Sequence, residues 1–287
     1  MSRGLLAIGA AGLMVAACAA QSGELVQQVG APLDIASFDL ELIYSNDFSG
    51  DDTIDFETSF VENGKRTRLP DPEAEWVVEG WGGADVCGDK LWVAPAAFDA
   101  CGERVQNPAS EPSHMVVWNK IGFPADMMFE FTVNHHGSDN GLTLVFFGAE
   151  GVEGQDIFDL ELPPRNGVYR NYNKGRLRNY TVSYWSRNKK PSLVAKGEQY
   201  TNRIRKNPGA NIIATNDSLT DKCNDCDFTI RILKVAGNIT VEINGIVANH
   251  VIDPDVPHGG GYVGLRSMEG VDRVSYDDFT VWSVKQR

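Results

Sequence analysis

Residues 127 to 134 (MMFEFTVN) alternate apolar and polar side chains from Phe129 onward. In an extended chain Phe129, Phe131 and Val133 fall on one face and Glu130, Thr132 and Asn134 on the other. Helical periodicity is nearly absent from the chain. Short β-type runs recur instead, separated by Gly, Pro, Asn and Asp. Leu142 to Phe147 is apolar on both faces, as suits a central strand between two layers. Tyr180 to Arg187 alternates again, with Tyr180, Val182 and Tyr184 opposite Thr181, Ser183, Trp185 and Arg187. Later strands are predicted at Phe228–Val235, Ile239–Ile243, Gly261–Ser267 and Val274–Val284. Asn244 and Gly245 supply a turn into Ile246–Val251. Earlier strands are predicted at Leu40–Phe48, Trp76–Glu79 and Lys90–Val93. This pattern predicts an all-β sandwich of two antiparallel sheets or a jelly roll, one domain over residues 38–287.

The first residues read differently. Arg3 gives a short basic start, and Leu5 to Val15 is apolar but too short for a bilayer span of about 20 residues. Val15-Ala16-Ala17-Cys18 then resembles a bacterial lipobox. That resemblance implies a signal peptide over 1–17, lipidation of Cys18 and a tether over 18–37. Ala19 stands where an inner-membrane retention signal would place Asp, so the implied destination is the outer membrane, facing the periplasm or the surface. The lipid is then the chain's one contact with a membrane.

The other four cysteines are Cys87, Cys101, Cys223 and Cys226. An exported chain can form disulfides, and four cysteines allow three pairings. Cys87 with Cys101 and Cys223 with Cys226 each close a short loop. Cys223 and Cys226 have alternative readings as a redox pair or half of a zinc site. The first wants a βαβ context that is absent here, and the second needs all four sulfurs to converge.

The formal charge is −13, yet residues 165 to 206 hold twelve of the 26 basic residues and one acidic residue, Glu198. Five of the eight tyrosines share that stretch: Tyr169, Tyr172, Tyr180, Tyr184 and Tyr200. The overall acidity argues against nucleic acid as a partner, which needs a domain-wide basic footprint. A local excess of cations attracts an anionic partner and raises its concentration nearby.

Residues 141 to 151 (GLTLVFFGAEG) are followed by 154–159 (GQDIFD), 165–169 (RNGVY), 172–175 (YNKG), 180–184 (YTVSY), Arg187, and Asn202 to Lys206. This succession resembles the YesU-like family of the concanavalin-like lectin and glucanase superfamily. The likeness is specific over 118–215 and weaker to 285, whereas 38–117 look individual to this chain. It implies a concanavalin-like jelly roll. Members tend to lie among genes for breaking down acidic polysaccharides. Asn173 and Lys174 stand where other members have a histidine pair, so any role of that pair does not transfer.

A uronic-acid polymer or oligosaccharide is the expected partner. β-Elimination from a uronate needs a cation on the carboxylate, a base for the proton beside it, and an acid for the leaving oxygen. Arginine's planar fork suits the first task, and tyrosine or histidine the others. Tyr184, His136 and Arg187 are the candidate catalytic residues. Tyr184 and Arg187, three apart on one strand, point to opposite faces and converge only if a bulge re-aims one. His136 continues the polar face of Glu130, Thr132 and Asn134. Its bland reading is a strand-end histidine bonded to a loop. Tyr169, Tyr172, Tyr180, Arg165, Arg205 and Lys206 are candidate substrate contacts, with Arg203 sharing a face with Arg205. Aromatic residues also favour strands for their own sake, so Tyr180 and Tyr184 have a plain reading as core. His135 is the weaker of its pair, and His114, His250 and His258 read as structural or exposed.

Asp156, Asp159 and Glu161 invite comparison with the Glu-x-Asp-x-Glu strand of retaining glucanases on this fold. Ile157 occupies the nucleophile's place and Pro163-Pro164 ends the strand, so that hydrolase is not expected. The same carboxylates have the oxygen chemistry for a structural Ca²⁺; no other cofactor is expected. The reading is a carbohydrate-active lipoprotein, an eliminating lyase or dehydratase on acidic glycans. The alternatives are a non-catalytic acidic-glycan binder and an inert structural sandwich.

Overall fold

The computed structural model describes residues 30–50, 52–56, 61–94, 101, 114–136, 141–187, 202–216, 226–268, 271 and 273–287, with the side chains of 185–187 excepted. Two large sheets face each other. Sheet I contains β16 (Ile246–Ile252), β15 (Asn238–Ile243), β14 (Phe228–Val235), β9 (Met127–Asn134), β18 (Val274–Gln286), β7 (Leu91–Ala94) and β6 (Gly83–Val86), in that order. β1 (Phe38–Asn46) also pairs with β18. Sheet II runs β13 (Asn211–Asn216), β12 (Asn202–Asn207), β11 (Leu177–Arg187), β10 (Gly141–Gly151), β17 (Tyr262–Ser267), β8 (Met115–Asn119), β5 (Trp76–Gly80) and β2 (Ile54–Phe56). All neighbours are antiparallel except β2 and β5. A two-strand ribbon of β3 (Val61–Glu62) and β4 (Lys65–Arg66) stands apart. The chain is therefore the predicted all-β jelly roll, and residues 38–117 complete both of its sheets.

The alternation at Met127–Asn134 sets the inside of sheet I. Phe129, Phe131 and Val133 are fully buried in the core between the sheets, with Ile230, Ile232, Val241 and Val281 beside them. Sheet II contributes Trp76, Val145, Phe147, Val182 and Leu265. The outward residues of sheet I carry charge: Arg231 bonds Glu130 at 2.7 Å and Glu242 at 2.8 Å. Residues 30–37, expected to be tether, instead lie on this outer face. The Leu33 amide donates to Thr240 Oγ1 at 2.8 Å, the Gly30 carbonyl meets His250 Nε2 at 3.0 Å, and Leu33 and Ile35 pack against Phe38, Met128 and Leu233.

Cys87 and Cys101 form the predicted disulfide. Cys226 is disulfide-bonded, while Cys223 and Cys18 lie outside the described residues.

Outside the core, Gly264 of β17 sits against the buried ring of Trp118 on β8, its cross-strand neighbour. A methyl group there would overlap the indole. Gly264→Ala should therefore destabilise the fold by about 1–3 kcal/mol, the usual cost of overpacking, measured by denaturant unfolding.

Candidate functional site

The outer face of sheet II is covered at one end by residues 152–176. Ile157, Phe158, Leu162 and Tyr172 from this loop pack on Val77, Val116, Trp118, Leu144 and Phe146 of the sheet, making a second apolar cluster. The loop includes one helical turn, α1 (Arg170–Asn173). Glu79 of β5 is fully buried beneath it. Its carboxylate accepts from Arg165 Nε at 2.9 Å and again from Arg165 Nη2, from Arg66 Nη2 at 3.2 Å and from the Tyr172 hydroxyl at 2.9 Å. Both arginines also donate to the Ile157 carbonyl at 2.9 Å. Arg165 and Tyr172, expected at the substrate, thus tie the covering loop to the sheet. Breaking one side of a buried ion pair costs about 3–5 kcal/mol. Glu79→Gln should lower stability on that scale, and Tyr172→Phe by about 1–3 kcal/mol, both read in thermal or denaturant unfolding.

Further along the same outer face the loop gives way to arginines. Ile204 faces the core, so Arg203 and Arg205 on either side of it face outward. Arg203 pairs across to Ser183, Ser183 to Leu144, and Leu144 to Arg266. These four residues form one row over four strands, about 14 Å from end to end. Arg205 lies one step along, with Nη1 3.3 Å from Ser183 Oγ. Burial pushes its guanidinium below the ordinary arginine range, with neighbouring Arg203 adding to that against the pull of Tyr169. Arg266 is fully buried. Burial brings its pKa down to about 10, so it remains a cation at neutral pH. Its Nε and Nη2 donate to the Gly167 carbonyl at 3.3 and 3.0 Å, and its guanidinium lies 5.2 Å from the centre of the Tyr169 ring. Among the described residues Arg266 Nη1 and the Tyr169 hydroxyl are both buried without a hydrogen-bond partner. Among the described residues no carboxylate bonds Arg205 or Arg266.

Of the candidate substrate contacts, Arg205 and Tyr169 lie on the outer face of sheet II beside this row. Several other candidates do not. Tyr184 is fully buried between the sheets, its hydroxyl 3.1 Å from that of Tyr276. Burial, with Tyr276 beside it, holds this phenol well above the usual tyrosine range. The β10–β11 register does shift beside Tyr184, yet its side chain still turns inward. His136 is on the far side of the molecule: it stacks on Trp92 with ring centres 4.5 Å apart and bonds Ser275 Oγ at 2.7 Å, on the outer face of sheet I. The histidine nearest Tyr184 is His135, which is buried, bonded to Thr143 at 2.7 Å, and 6.2 Å from the tyrosine ring. The Arg187 side chain lies outside the described residues. The expected Tyr184, His136 and Arg187 constellation is corrected accordingly: Tyr184 is core and His136 faces away from the arginines.

Tyr180 and Lys206 are also interior. The Tyr180 hydroxyl donates to Asp253 Oδ2 and accepts from the His258 amide at 2.9 Å. Lys206 Nζ donates to Asp253 Oδ1 at 2.9 Å and to the Val256 carbonyl at 2.7 Å. This cluster pins the 253–258 loop to the end of sheet II. Asp156 and Asp159, considered for Ca²⁺, accept from the amides of Phe158 and Glu161 at 2.8 Å and shape the covering loop. Among the described residues the only compact group of three metal-type ligands is Asp85, Cys87 and Cys101, whose sulfurs are joined.

Burial pushes the His258 imidazole down to about 4 from an ordinary 6.5. The unfolded chain then binds the extra proton first, so the neutral ring's stabilisation is complete above about pH 6.5 and falls away toward pH 4. His258→Gln should flatten the stability profile across that window, as followed by unfolding at successive pH values.

Two facing, largely antiparallel sheets make the chain a jelly-roll protein. The chain belongs to the family described as Domain of unknown function (DUF1961), whose model matches residues 66–281. The family region thus begins well before residue 118 and takes in Arg66 and Glu79. The chain is 26% identical over 183 residues to the uncharacterized protein YesU of Bacillus subtilis (strain 168), covering 62% of this chain and 80% of that one. A solved protein of unknown function with a galectin-like fold, also from Bacillus subtilis, superimposes with a TM-score of 0.66 at 22% identity, covering 87% of this chain and all of that one.

Proposed function

We propose that the protein binds an acidic carbohydrate along the arginine row on the outer face of sheet II. The observation that carries this reading is Arg205, a part-buried outward guanidinium with no bonded carboxylate among the described residues, with Arg203 beside it and the buried Arg266 adding positive charge beneath the same face. Taking a cation out of water is costly unless an opposite charge compensates it. A ligand carboxylate or sulfate supplies that charge, and arginine's planar fork suits either. The signal-like start and Cys18 support an outer-membrane lipoprotein that holds this surface toward the periplasm or the exterior.

One observation favours β-elimination as a second reading. The Tyr169 hydroxyl is buried without a partner beside Arg266. In that reading the Tyr169 oxygen, turned toward the surface, takes the proton beside the uronate carboxylate as its own proton leaves. The electron pair forms the ring double bond and expels the substituent oxygen at C4, which takes its proton from solvent or from Tyr169. Arg205 holds the carboxylate as negative charge develops on it, and the buried Arg266 adds positive potential behind it.

The test is binding to uronate-containing and sulfated oligosaccharides, with ultraviolet absorbance followed for unsaturated product. Arg205→Ala should weaken acidic-glycan binding about tenfold or more, the worth of a charged hydrogen bond. Unchanged affinity in both Arg205→Ala and Arg203→Ala would overturn the proposal. An absorbance rise lost in Tyr169→Phe would establish elimination; binding with no rise would leave the protein a glycan binder.

A further inference from the structure

At the edge of the covering loop, away from the arginine row, is a cleft of about 380 Å³. Its walls are Trp81, Val61 and Pro164, and its polar edge is Asn166 and Asn171. Trp81 is 55% exposed, although it follows directly on the buried strand β5. Burial of the aromatic face against a protein neighbour is the common fate of tryptophan, so a ring held out beside a cleft is a surface for stacking.

The floor is rigid. Gly80 and Gly167 have φ of +100° and +78°, and both lie against the His114 carbonyl so closely that a Cβ on either would overlap it. The Trp81 amide donates to that same carbonyl at 3.2 Å. Asn171 Nδ2 donates to Asn166 Oδ1 at 2.6 Å, which leaves the Asn166 amide nitrogen as donor and the Asn171 oxygen as acceptor at the cleft. Arg165 also lines the cleft, with its guanidinium turned onto Glu79, which it shares with Arg66.

We infer that this cleft is a subsite for a neutral pyranose ring, stacked on Trp81 and held at adjacent hydroxyls by Asn166 and Asn171. A sugar ring offers an apolar face of C–H bonds and a rim of hydroxyls that both donate and accept. Among the described residues the cleft provides an aromatic plane, one donor and one acceptor, and its one charged group, Arg165, is turned onto Glu79. The loop that carries Asn166 and Asn171 also carries Gly167, whose carbonyl holds Arg266, and Tyr169. The neutral subsite and the arginine row are thus two sides of one short segment. Resting on the acidic-glycan reading, this assigns the ligand class further: a heteropolysaccharide in which neutral sugars accompany the acidic ones.

The test uses full-length protein carrying fluorotryptophan, with the Trp81 resonance assigned by its loss in Trp81→Phe. Neutral methyl pyranosides of glucose, galactose, xylose and rhamnose should shift that resonance, and should do so equally in Arg205→Ala. Titration with rhamnogalacturonan and glucuronoxylan oligosaccharides should show Trp81→Ala weakening affinity roughly tenfold. Trp81→Phe should recover part of that loss, and affinity for all-uronate oligogalacturonate should be unchanged. A Trp81 signal that responds to no neutral sugar, or Trp81→Ala affinities that match wild type on every mixed oligosaccharide, would overturn the neutral subsite. Oligogalacturonate affinity left unchanged by both Arg205→Ala and Arg203→Ala would instead overturn the acidic-glycan reading, so the two failures are separable.

Discussion

The buried carboxylate of Glu79 is the interaction on which the functional face depends. Two guanidiniums and a phenol converge on it from segments 13, 86 and 93 residues away in sequence. A carboxylate this deep is tolerable only when paired and fully hydrogen-bonded. The pairing fixes residues 152–176 against sheet II, and with them the backbone that places Asn166, Gly167 and Tyr169. Gly167 then receives Arg266, and the Gly167 amide in turn donates to the Tyr172 hydroxyl at 3.1 Å. One buried charge therefore sets the positions of both the arginine row and the tryptophan cleft.

Much of the sandwich was legible because strand alternation is a local property. β9 and β14 run over Met127–Asn134 and Phe228–Val235, as the alternation predicts, and the inward face of β9 is the apolar one. The same logic was ambiguous at β11. Tyr180, Val182 and Tyr184 oppose Thr181, Ser183 and Trp185, and a tyrosine suits a core or a groove equally well. What decides the matter is the opposite sheet: Phe131 and Tyr276 receive Tyr184, and Asp253 receives Tyr180. Neither partner is near in sequence.

The basic segment shows a second limit. Its net charge suggested a single cationic surface, yet charge counting does not see partners elsewhere in the chain. Arg165 meets Glu79, Arg178 meets Glu150, Arg176 meets Glu153 and Lys206 meets Asp253. Of these the Arg176 pair is exposed on both sides and contributes little, whereas Arg165 and Lys206 are structural. Arg203 and Arg205 retain the outward position the segment implied. Arg266 escaped notice because it stands outside that stretch, on a strand whose other outward residues are Tyr262 and Gly264. The one sequence signal for it was an arginine amid an otherwise apolar strand.

The docking of residues 30–37 onto sheet I has a geometric consequence for the whole molecule. If Cys18 carries a lipid, the distance in sequence from it to Gly30 sets a reach of at most roughly 40 Å. The attachment leaves from the outer face of sheet I, while the arginines and Tyr169 occupy the outer face of sheet II. A tether shorter than the width needed to roll the domain over would keep sheet I toward the lipid. The arginine row would then look away from the membrane, toward polymer arriving from outside.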